Sequence, residues 1–159
     1  MNKNKTRGVR NNNPGNVRKN GQRWKGMRET QTDAEFLQFK EMKWGIRALI
    51  VNLRTYVTRR GCTTVSKIIN LWAPRKDHNN TDAYIKACAV AVGKCLTNSS
   101  DIRLQTKLGL EFQFSADDFN MHVLTKTPKV LYELVAKMCW IESNYKLEYG
   151  LFYDAIEML

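Results

Sequence analysis

At Lys43 the hydrophobic pattern of this chain changes period. Downstream, Ile46, Leu49, Ile50, Leu53, Tyr56 and Val57 recur at steps of three and four, and Gly61 closes the run. Such a stripe shares one face only on an α-helix, which predicts a helix over roughly 43–60 with Lys43, Arg47, Arg54 and Arg59 turned outward. The segment "TTVSKIINLWAP" reads as a second helix: Thr63 or Thr64 caps it, Val65, Ile68, Ile69 and Trp72 pack, and Pro74 stops it. "NNTDAYIKACAVAVG" reads as a third, capped by Thr81 and ended by Gly93. Residues 94–114 fit a turn of helix or a short strand equally. Ser115 with Asp118 fits a capping box for a short helix to about Leu124. Thr127-Pro128 opens the last long helix, lined by Leu131, Leu134, Val135, Met138 and Ile141, and a final short helix covers about 151–159.

Upstream of Lys43 the chain is written in turn residues. Residues 1–9 lack apolar content and read as a loose arm. In "RNNNPGNVR", Arg10 to Arg18, Pro14 fixes φ, Gly15 permits a positive φ, and the asparagines can bond their own backbone. Residues 17–40, around Trp24, Phe36 and Phe39, read as a small irregular β-element. The expectation is a single mainly α (α+β) domain over 1–159. It comprises an arm (1–9), a turn and β-flap (10–42) and a helical remainder (43–159).

The chain of 159 residues can bury a core without disulfides or metals. Its net charge of +11 is uneven: residues 1–60 hold 15 Lys/Arg against 4 Asp/Glu, and residues 61–159 hold 11 of each. A basic face attracts polyanions such as nucleic acid, anionic lipid or acidic wall polymer. The four cysteines form no CxxC pair and His78 and His122 are scattered, so neither a metal site nor a cofactor is expected. No apolar run approaches the roughly 20 residues of a membrane span, and no apolar block follows the basic start as in a signal peptide.

One carboxylate occupies an unusual place. Glu142 follows Met138 by four, Val135 by seven and Leu131 by eleven, so it continues the apolar stripe of its helix. It also falls in the last turn, where the helix dipole is negative. Desolvation and the dipole both favour its protonated form, as a general acid for glycosidic-bond cleavage requires. The competing reading is a glutamate that frays into solvent or pairs with Lys146.

Several segments resemble a phage and prophage family with a lysozyme-like assignment. They are the "RNNPGN(I/V)R" turn, Trp24-Lys25-Gly26, Phe36 with Phe39, Gly45-Ile46-Arg47-Ala48, and Trp72-Ala73-Pro74 followed by Asn79, Thr81 and Tyr84. These motifs span residues 7–93. The family's C-terminal part typically holds a helix ending in Glu-Asn-Gly; here Glu142-Ser143-Asn144 keeps the glutamate and lacks the glycine. "WIESNY" separately resembles the catalytic helix end of lytic transglycosylases, with Tyr145 as the following aromatic. In those enzymes the acidic helix precedes the turn and flap, so a shared fold would be circularly permuted here.

The resemblance implies a muramidase or lytic transglycosylase acting on peptidoglycan, as an endolysin or virion-associated protein. Glu142 would be the acid. Asn11, Asn12, Asn13, Asn16, Trp24, Ser143 and Tyr145 would line the sugar cleft, and Glu29, Asp33 and Glu35 are candidates for a second carboxylate. Such a protein is made in the host cytoplasm and acts at the wall after a holin-type exit or from within a particle. Two alternatives stand beside it. One is a non-catalytic virion protein on the same scaffold; the other is a DNA-binding phage protein, supported by the basic first third but lacking a base-reading helix.

Overall fold

A computed structural model describes residues 4–120 and 129–159. Among them are seven α-helices: α1 (Arg7–Arg10), α2 (Met42–Arg60), α3 (Val65–Trp72), α4 (Thr81–Lys94), α5 (Ile102–Glu111), α6 (Lys129–Ser143) and α7 (Tyr149–Glu157). Two 3₁₀ turns, Arg75–Asp77 and Ala116–Phe119, join them. The architecture is mainly α. The chain packs as two compact units, one of residues up to Val51 together with Met138–Leu159, the other Asn52–Lys137.

The first unit carries the asparagine turn, the long irregular segment, the start of α2, the end of α6, and α7. Its core holds Val17, Leu37, Phe39, Ile46, Leu49, Ile50, Met138, Cys139, Phe152 and Ile156. The turn presses on α2 backbone to backbone: a Cβ on Gly45 would lie 1.9 Å from the Asn12 carbonyl oxygen, and one on Gly15 would lie 2.9 Å from a Leu49 methyl. Gly15 is therefore a close-packing glycine. The positive φ expected there falls instead on Asn12 and Asn16, both at 51°, a region asparagine tolerates better than most residues.

The expected β-element is absent as a sheet. Residues 17–40 form only two isolated antiparallel bridges among the described residues, Arg18 with Phe36 and Met27 with Phe39. Side-chain amides do the work of a ladder. Gln31 donates to the Gln38 carbonyl at 2.7 Å and accepts from the Gln38 N–H at 2.8 Å, as a neighbouring strand would. The arm reading also ends at Thr6, whose hydroxyl accepts from the Val9 N–H at 3.4 Å and starts α1.

The second unit is helical. Thr64 caps α3 through the Lys67 N–H. Asn80, one residue before the expected Thr81, caps α4 through the Ala83 N–H. The motif residues around Pro74 hold that corner: Asn79 donates to the Pro74 carbonyl, and buried Thr81 to the Ala73 carbonyl. α4 and α5 cross at near backbone contact. A Cβ on Gly93 would sit 1.7 Å from the Gln105 carbonyl oxygen, and one on Gly109 1.8 Å from that of Ala89. The undecided stretch 94–114 thus contains a helix whose buried residues are Gln105 and Gly109, while Ile102, Leu104 and Leu110 are exposed. The Ser115–Asp118 capping box is present and starts a 3₁₀ turn ending at Phe119. The expected continuation to Leu124, the Thr127-Pro128 helix start and His122 lie outside the described residues. On α6 Leu131, Leu134, Val135 and Met138 are buried as expected, but Ile141 is 39% exposed.

Candidate functional site

Every residue singled out for the site lies in the first unit. At its centre the end of α6 meets the asparagine turn. Asn16 Nδ2 donates to the Glu142 carbonyl oxygen at 3.0 Å and to Glu142 Oε2 at 3.3 Å. The Thr6 hydroxyl donates to the Ser143 carbonyl at 2.6 Å. The last carbonyls of a helix have no intrahelical partner, and here residues from the chain's other end satisfy two of them. Asn144, φ 51°, then takes a left-handed position, and its N–H returns to the Trp140 carbonyl at 2.8 Å. Asparagine tolerates that backbone better than most residues.

Glu142 is half-buried. Its neighbour Cys139 is fully buried, and burial first, the Glu142 charge second, push that thiol well above its ordinary range. Cys139 is therefore a protonated core thiol and no nucleophile. Ser143 is 1% exposed. Its Oγ and Asn16 Oδ1 lie within 1.9 and 2.9 Å of where a Cβ on Gly8 would stand. Gly8 is required because any side chain there would strike Ser143. Tyr145 is half-buried, which raises its phenol, and its N–H bonds the Cys139 carbonyl at 3.2 Å.

The other asparagine amides are bonded inside the first unit. Asn13, fully buried, donates to the Val17 and Leu37 carbonyls and accepts from the Val17 N–H. Asn12 donates to the Phe39 and Lys40 carbonyls. Asn11 donates to Asp33 at 2.9 Å and accepts from Gln38 at 3.0 Å. These amides are bonded in folding the turn; of the four, Asn16 reaches Glu142. Trp24 is half-buried and donates from Nε1 to Asn20 at 3.2 Å.

Neither Asp33 nor Glu35 is set up as a second catalytic carboxylate. Arg7 grips Asp33 with two bonds of 2.7 Å, and the N–H groups of Glu35 and Phe36 add two of 2.9 Å. The Arg7 guanidinium, ahead of the backbone and Asn11 donors, holds this carboxyl far below its ordinary range. Glu35 is exposed and pairs with Arg7 at 3.0 Å and Arg18 at 3.6 Å. Both guanidinia flank the Phe36 ring, 4.5 and 5.0 Å from its centroid. Glu29 is exposed on the loop. The sequence reading missed Arg7 and Thr6, whose partners Asp33 and Ser143 lie 26 and 137 positions away, and Gly8, which packs on Ser143.

No protein-family model matches the chain. Over 90 residues it is 40% identical to Protein P5 of Pseudoalteromonas phage PM2, a stretch covering 55% of this chain and 56% of that protein. The chain thus spans little more than half the length of this phage relative. No helix among the described residues is long and apolar enough to cross a membrane.

Proposed function

We propose that this chain cleaves the glycan strands of peptidoglycan, as a muramidase or lytic transglycosylase of phage origin, with Glu142 as the general acid. The observation that carries this reading is the half-buried Glu142 carboxylate held against the asparagine turn by Asn16. The similarity to a phage protein supports the setting in which such an activity serves. In the reaction Glu142 delivers its proton to the glycosidic oxygen as the bond to the anomeric carbon breaks. With Asp33 and Glu35 engaged by arginine, the substrate's own N-acetyl oxygen takes the anomeric carbon, and the Glu142 carboxylate left by proton delivery then draws the proton from the water, or from the sugar's own 6-hydroxyl, that displaces it.

A second reading is favoured by the stronger of the two Asn16 contacts, the one to the Glu142 backbone. A latch that only closes the end of α6 would use the same bond, in a wall-binding or virion protein without chemistry. Glu142→Gln separates the two. Glutamine still offers Asn16 an oxygen but has no proton to give, so the enzyme reading expects digestion of purified sacculi to fall by about 10²–10⁴-fold with the melting temperature kept. Unchanged digestion removes Glu142 from the chemistry, and a wild-type chain inert on sacculi leaves the latch.

A further inference from the structure

We infer that Asn16 is a positioning residue for Glu142, fixing which carboxyl oxygen carries the transferable proton; this rests on the reading of Glu142 as the general acid. The amide orientation rests on its donor side. Nδ2 faces two acceptors, Glu142 O and Oε2. Oδ1 and the Ser143 hydroxyl are both buried without a hydrogen-bond partner, packed where a Cβ on Gly8 would stand. An N–H can only donate, so the oxygen it meets must accept. In the neutral carboxyl that the general-acid reading requires, the carbonyl oxygen is the better acceptor, so this contact assigns the transferable proton to Oε1.

The amide is itself held rigidly. The Asn16 N–H bonds the Asn13 carbonyl at 3.0 Å, its φ is 51°, and Gly15 before it is wedged on Leu49. Anchoring of the Glu142 and Ser143 carbonyls by Asn16 and Thr6 fixes the last turn from which the acid projects. Asn16 thus acts through Glu142.

The left-handed backbone suggests the variants. Asn16→Gly keeps that conformation and deletes the amide; Asn16→Asp keeps the shape and replaces the donor with an acceptor. Turnover of a soluble peptidoglycan glycan fragment is measured against pH, alongside NMR titration of the Glu142 ¹³Cδ and the Asn16 side-chain amide protons. Asn16→Gly is expected to lower kcat by roughly 10–100-fold with KM within about twofold, the cost of a misplaced reacting group. Asn16→Asp is expected to move the alkaline limb of the rate profile upward by roughly one pH unit, since a second acid disfavours ionisation of the first. In the wild type the Asn16 amide protons should follow the Glu142 midpoint, and in Glu142→Gln that step should vanish. A raised KM with kcat kept would place the amide on the sugar, and kinetics untouched by both variants would remove Asn16 from the mechanism. A wild-type chain inert on glycan overturns the catalytic reading and this role together, and the NMR step then reports the contact alone.

Discussion

Four asparagines in one turn do four different things, and the difference lies in where each amide finds its partners. Asn13 is completely enclosed and bonds three backbone groups. Asn13→Ala would leave the Val17 N–H and the Leu37 carbonyl without partners, while the Val17 carbonyl keeps the Leu37 N–H, at about 3 kcal/mol in total. For a chain of this length that is a melting temperature lower by about 10 °C, readable by circular dichroism. Asp33 offers a test in pH. Its carboxyl lies below its unfolded value of about 3.9, so its contribution is complete above pH ~4. That contribution drains away as acid protonates the unfolded chain. Urea titrations of wild type and Asp33→Asn should therefore differ most near neutrality and converge toward pH 2; a gap that widens in acid would contradict the Arg7 clamp.

At the scale of elements, the helices that obey the apolar stripe were legible and the others were not. α2 and α3 announce themselves because Ile46, Leu49, Ile50 and Ile68, Ile69 are buried at helical spacing. α5 inverts the rule, burying Gln105 and Gly109 and exposing Ile102, so periodicity could not find it. Its packing depends instead on backbone approach, which only glycine allows. Gly93→Ala drives a methyl onto the Gln105 carbonyl. It should destabilise by about 1–3 kcal/mol or more, whereas Gly61→Asn, at φ 65° with open space around it, should be nearly neutral. Parallel thermal melts check the pair. The short α1 escaped notice because it is held by tertiary bonds from Thr6 and Arg7, not by its four residues' own propensity. The β-reading failed for a related reason: glutamine and asparagine amides replace the ladder, and alternation does not record them.

For the whole molecule, charge is the property that sequence order misrepresents. Along the chain the excess sits in the first 60 residues, but packing redistributes it. The first unit holds 13 Lys/Arg against 8 Asp/Glu and the second 13 against 7. Arg7, Arg10, Arg28 and Arg47 are moreover bonded to carboxylates or carbonyls, which uses them as staples. The contact of Glu142 with the turn was anticipated from the sequence. The division of labour within the turn was not, because an asparagine's partners lie 24 or 126 positions away. Diffuse charge of this kind predicts polyanion binding without discrimination. Two unrelated DNA duplexes should bind alike, no tighter than micromolar at physiological salt, and lose affinity steeply as salt rises. A fluorescence-anisotropy titration that instead found one sequence preferred at 0.2 M salt would require a focused base-reading surface. That result would favour the nucleic-acid alternative over the wall.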